Sequence, residues 1–103
     1  MNFNIKHDNK NNKFFSVIAG KECSLRYEKL SNNVLDAKLM FVPKNMRGQG
    51  IASRLVEHVI SYAKRNEMKI KPTCSYLEEF FVQNPKHKNM LYNSNEVTVM
   101  SQE

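Results

Sequence analysis

The stretch Val42-Pro43-Lys44-Asn45-Met46-Arg47-Gly48-Gln49-Gly50-Ile51-Ala52 is where the periodicity of the chain changes. Beyond Gly50 the apolar residues Ile51, Ala52, Leu55, Val56, Val59, Ile60 and Ala63 recur at helical spacing, with Ser53, Arg54, Glu57 and Lys64 on the other face. The helix is expected to stop near Asn66, a residue type that tolerates the left-handed backbone common at helix ends. Before Pro43 the chain reads as strands. Phe14, Phe15, Val17 and Ile18 form a β-rich run, Cys23, Leu25 and Tyr27 alternate with Ser24, Arg26 and Glu28, and residues 34–42 are largely apolar. Residues 2–7 alternate more loosely. Polar turns at 8–12, 20–21 and 31–33 separate these runs, which predicts an antiparallel meander.

Past the helix, residues 68–73 have the length of one more strand. A strand, helix and strand in this order make a β-α-β unit with parallel strands. Ser75 is placed to cap a second helix running to Gln83, with Glu78 as its capping-box partner, and Pro85 interrupts it. Residues 86–103 are weakly patterned, with Val97, Thr98 and Val99 as a candidate short strand. The fold class expected is α+β: four antiparallel strands, then the β-α-β unit and a second helix, all within a single domain spanning 1–103.

Size and composition narrow the function. At 103 residues there is enough chain for one core, and the apolar and charged fractions are ordinary for a globular protein. No run approaches the roughly 20 apolar residues that span a bilayer, and the first twelve residues hold no signal-peptide core, so a cytoplasmic protein without membrane partners is expected. Cys23 and Cys74 show no metal-ligand spacing, and neither a metal site nor a disulfide is expected. The net charge of +6 is concentrated. Lys44, Arg47, Arg54, Lys64, Arg65, Lys69 and Lys71 face only Glu57 and Glu67 over residues 44–71, seven cations less two anions, or +5. Such an excess favours an anionic partner, either nucleic acid or a phosphorylated cofactor. The sequence lacks the lysine-interleaved aromatics of a nucleic-acid-binding sheet, which leaves the cofactor as the stronger choice.

The loop at 43–52 suits a pyrophosphate. Backbone amides at a helix start have no partners within the helix, and the helix dipole adds partial positive charge there. Gly48 and Gly50 let the backbone approach an anion with no Cβ in the way, and Lys44, Arg47 and Arg54 can supplement the field. It is neither a dinucleotide fingerprint nor a P-loop. Arg47-x-x-Gly50-x-Ala52 instead resembles the motif of the GNAT acetyltransferases, Arg/Gln-x-x-Gly-x-Gly/Ala. Lys71-Pro72-Thr73-Cys74-Ser75-Tyr76-Leu77 through Phe80, followed by Asn84-Pro85-Lys86-His87, resembles a subfamily of very short GNAT-like proteins. The resemblance covers most of residues 13–92 and is tightest over 42–85.

It implies a compact GNAT-like fold, acetyl-CoA as cofactor and an amine as acceptor. Phe41, Val42, Arg47, Gly48, Gln49, Gly50, Ile51 and Ala52 are the implied cofactor-binding residues, and the pantetheine arm is implied to lie between the parallel strands. A backbone amide of Met40, Phe41 or Val42 is implied to polarise the thioester. Tyr76 matches the position of a tyrosine that protonates the departing thiolate, and it reads equally well as a packed aromatic. Cys74 lies at a helix start, where a thiolate is favoured, so either a covalent acetyl-cysteine route or a buried structural thiol fits it. Short members of the family often carry His and Glu late in the fourth strand, where this chain has Leu39 and Phe41. Asp36, Glu78, Glu79 and His87 are candidate replacements as base, and the sequence singles out none. An N-acetyltransferase and a non-catalytic acyl-CoA-binding module both follow from the same residues.

Overall fold

In a computed structural model the chain is described over residues 4–92. Five strands form one sheet in sequence order: β1 (Lys6–Asp8), β2 (Lys13–Ile18), β3 (Lys21–Ser31), β4 (Val34–Phe41) and β5 (Lys69–Pro72). The first four are antiparallel neighbours, and β5 runs parallel to β4. Between β4 and β5 come a short 3-10 turn, Lys44–Met46, and helix α1 (Ile51–Arg65). Helix α2 (Ser75–Gln83) follows β5 and leads into a 3-10 segment, Pro85–Met90. The expected meander, β-α-β unit and second helix are all present. The candidate strand at Val97-Thr98-Val99 lies outside the described residues.

The periodicity that marked α1 is the periodicity it buries. Ile51, Leu55, Val56, Val59, Ile60 and Ala63 pack onto Phe14, Leu25, Leu35, Ala37 and Ile70 of the sheet. Removing that much apolar surface from water, at roughly 25 cal/mol per Å2, supplies most of what holds the layers together. Leu77, Phe80 and Phe81 of α2 complete the core beside α1.

Two helix ends differ from expectation. The left-handed residue after α1 is Glu67, with φ of 55°, whereas Asn66 has φ of −102° and instead donates its side-chain N–H to the carbonyl of Tyr62 at 2.8 Å. At α2 the cap residue is Cys74 rather than Ser75, and no side chain caps the helix. The backbone explains the shift: the Cys74 N–H donates to the Ala37 carbonyl at 2.9 Å, which holds Cys74 extended and starts the helix one residue later.

Two features of β4 prepare the site. Its pairing with β5 ends at Ala37 opposite Pro72, so residues 38–41 run on past the end of the neighbouring strand. Its pairing with β3 slips between Arg26 and Tyr27: Arg26 faces Leu39, but Tyr27 faces Ala37. Lys38 is thereby the extra residue of a β-bulge, and such bulges re-aim the side chains that follow them. Ala37 points into the core, whereas Leu39, two residues on, points out of the opposite face.

Candidate active site

The loop after β4 is built on backbone that only glycine adopts cheaply. Gly48 has φ of 82° and Gly50 has φ of 84°, both left-handed, and a Cβ placed at either position meets nothing within 4 Å. The glycines therefore answer a backbone demand and leave open space beside the start of α1. Gly50 is the cap residue of α1 and uses no side chain to cap it. The first N–H groups of the helix consequently face that space, and no acid stands in the first turn to compete with an anion. Arg47 is tied in from the side: its Nε donates to the Val42 carbonyl at 3.0 Å, which fixes the loop against the end of β4. The other guanidinium N–H groups stay free for an anionic ligand.

This loop forms one wall of a cleft of about 680 Å3. Met40, Val42, Met46 and Ile51 provide its apolar surface, Arg47, Gly48, Gly50, Ala52 and Ser53 the helix-side wall, and Cys74, Ser75 and Tyr76 the opposite wall at the start of α2. The cleft opens where β4 outruns β5. Cys74 is half-buried and Tyr76 is 38% exposed. Across the mouth, the hydroxyls of Ser53 and Tyr76 are hydrogen-bonded at 3.0 Å, joining the first turn of α1 to that of α2. Ser53 carries no sequence signal for this, since its partner lies 23 positions away and the two meet only through the fold. Met40 and Met46 were likewise legible only as apolar residues.

Of the residues expected to hold the cofactor, Val42, Arg47, Gly48, Gly50, Ile51 and Ala52 all line the cleft. Gln49 is exposed and lies outside the lining. Phe41 also lies outside it, because its side chain leaves β4 on the opposite face of the sheet, and only its backbone borders the cleft side. The two residues named for catalysis, Cys74 and Tyr76, share the far wall.

Among the candidate bases, Glu78, Glu79 and His87 do not line the cleft, and neither does any other carboxylate or imidazole among the described residues. Asp36 is buried, 4% exposed, on the face opposite α1. It accepts a hydrogen bond from the Thr73 hydroxyl, and the Lys38 ammonium lies 4.0 Å from its other oxygen. Cys23 is fully buried, with its thiol 3.9 Å from the Met46 sulfur, and burial pushes that thiol's pKa up. It is structural.

Residues 13–90 match the model of a family described as GCN5-related N-acetyl-transferase. The chain belongs to that family. Protein NATD1 of Gallus gallus is 28% identical over 83 residues, which is 79% of this chain and 76% of that one. Protein NATD1 of Homo sapiens is 26% identical over the same length, 79% of this chain and 74% of its own. A GCN5-like chain from Staphylococcus aureus, whose structure was determined by NMR, superposes with a TM-score of 0.72 at 22% identity, covering 89% of this chain and 90% of the other. Ard1 from Thermoplasma volcanium gives a TM-score of 0.56 at 15% identity, over 71% of this chain and 54% of that larger one. These likenesses establish the GCN5-related fold for the whole described unit. Among the described residues no helix is long and apolar enough to cross a membrane, and no group of His, Cys, Asp and Glu is arranged to hold a metal ion.

Proposed function

We propose that the chain is an acetyl-CoA-dependent N-acetyltransferase and that the helix-side cleft is its cofactor site. One observation carries this reading: the left-handed Gly48–Gly50 loop, the open start of α1 and the Cys74–Tyr76 wall all line the same cleft. The residues present suit the cofactor. A diphosphate fits the space beside Gly48 and Gly50, where amide N–H groups and the helix dipole meet negative charge with no side chain in the way. The apolar surface of Met40, Val42 and Met46 suits a pantetheine arm. When bound, the cofactor supplies an acetyl group as an activated thioester.

The chain's own residues then have separable tasks. The backbone of β4 beyond Ala37 has no strand beside it, so an N–H of Met40, Phe41 or Val42 is available to polarise a carbonyl. Tyr76 presents its hydroxyl at the cleft mouth and serves as proton donor to a departing thiolate, with Ser53 fixing the direction of that hydroxyl. Cys74 sits in the same wall, near enough to line the cleft, and accounts for either direct attack by the amine or a relay through its thiol.

The cleft lacks a carboxylate or imidazole, and this favours the second reading, an acyl-CoA-binding module without turnover. Titration with acetyl-CoA, followed by amide shifts, is expected to move Gly48, Gly50 and Ile51 under both readings. Release of free thiol on addition of an amine is expected only for the enzyme. Cys74→Ala is expected to bind acetyl-CoA as the parent does. Loss of thiol release in that variant assigns the relay, and retained release assigns direct attack.

A further inference from the structure

The sheet face opposite α1 and α2 carries a second concavity, of about 630 Å3, lined by Leu39, Phe41, Pro43, Ser24, Arg26 and Glu22 with Lys21 at its edge. Leu39 and Phe41 are 58% and 52% exposed there. They reach that face because of the bulge at Lys38; without the slip, Leu39 would follow Leu35 and Ala37 into the core. Exposed large apolar side chains clustered in a groove mark a binding surface more often than a bare one. The volume falls in the range of small-molecule sites.

We propose that this groove is the acceptor subsite, and that it takes a small primary monoamine carried on an aromatic or branched aliphatic body. The inference rests on reading the helix-side cleft as the acetyl-CoA site. Three observations support it. Met40 and Val42 of the same strand line the helix-side cleft, so only the backbone of β4 separates the two concavities. That backbone has no β5 neighbour beyond Ala37, and the gap there connects one face with the other. The rim of the groove is net basic: Lys21 and Arg26 stand against Glu22, whose carboxylate is held by Lys13 at 3.0 Å and Arg26 at 4.0 Å.

An apolar floor with a cationic rim repels a polyamine and disfavours an ammonium. It favours the neutral amine, which is the nucleophile, by desolvation and by like charge. The groove therefore supplies what the missing base on β4 does not. The amine nitrogen forms the C–N bond to the acetyl carbon while the C–S bond breaks. The sulfur leaves with the bonding electrons and takes a proton, and the nitrogen releases one to solvent.

The test uses the full chain with acetyl-CoA and four acceptors, phenethylamine, isoamylamine, spermidine and Nα-acetyl-lysine, reading thiol release and the affinity for CoA. The parent is expected to use phenethylamine with a kcat/KM at least tenfold above that for spermidine or Nα-acetyl-lysine. Leu39→Glu, on an exposed position, is expected to raise the KM for phenethylamine tenfold or more, with CoA affinity within twofold of the parent. Arg26→Glu is expected to shift preference toward spermidine. A parent that prefers spermidine, or an unchanged KM in Leu39→Glu, overturns the inference while leaving the cofactor site standing. A phenylalanine-initiated tripeptide used tenfold better than phenethylamine overturns the assignment to a small molecule. If CoA fails to bind the parent, the cofactor reading itself is lost, and the groove is judged by phenethylamine alone: shifts confined to residues 24–26 and 39–41 support it, and none overturns it.

Discussion

At the scale of single residues, Gly50 separates two effects that a substitution usually mixes. A Cβ there meets no atom, but the left-handed backbone costs an L-residue about 1–2 kcal/mol. Gly50→Ala is therefore expected to lose about that much stability in a denaturant titration while still binding CoA. Gly50→Glu is expected to lose a similar amount of stability and to abolish CoA binding, because the added carboxylate lies where a diphosphate would. Ser53→Ala removes the partner of the Tyr76 hydroxyl. It is expected to lower kcat several-fold with little change in CoA affinity, and Ser53→Thr to restore most of it, as kcat and Kd measured side by side will show.

The loop was legible because everything it needs is local: two glycines, a cation and a helix start within ten residues. The Ser53–Tyr76 and Asp36–Thr73 contacts were not, since each joins residues that no spacing rule relates. Leu39 is the instructive case. In sequence it extends the apolar run of Val34, Leu35 and Ala37, and only the slip against Arg26 turns it outward.

At the scale of elements, α1 was readable nearly to the residue because its apolar stripe is also its packing face. Its C-terminus was not, because a strained Glu67 stands where asparagine or glycine would be usual. Chain direction compels it: the N–H of Met68 donates to the Ala63 carbonyl at 2.8 Å, and the turn must deliver Lys69 to β5. Glu67→Gly is expected to stabilise by up to about 1 kcal/mol, the relief of left-handed strain less the added freedom of the unfolded chain, seen as a higher denaturation midpoint. The start of α2 was misplaced by one residue because the bond from Cys74 to Ala37 is tertiary.

At the scale of the whole molecule, β1 is tied to α1 through an aromatic cluster. His7 stacks on Phe14 with ring centroids 4.1 Å apart and meets the edge of Tyr62 at 4.6 Å, while its Nε2 is 2.5 Å from the Tyr27 hydroxyl. Burial, and then the Lys29 charge, hold the imidazole below its usual pKa of 6.5, and burial pushes Tyr27 up to about 12. The phenol therefore donates to a neutral ring. Because the folded pKa of His7 is depressed, its contribution is complete above pH 6.5 and is lost as pH falls through the lower folded value. The melting temperature is expected to drop between pH 7 and pH 5, with a shallower slope in His7→Gln. Asp8, whose hydrogen bonds from Asn11 lower its pKa, acts only in the more acid range below 3.8.

The brevity of β1 has a consequence for solution behaviour. A border strand of three residues, ending in Asp8 and flanked by Lys6 and Lys10, offers another chain almost nothing to zip onto. Two molecules that adhere at high concentration must therefore meet broadside, Phe41 against Phe41, and self-association will then be competitive with turnover.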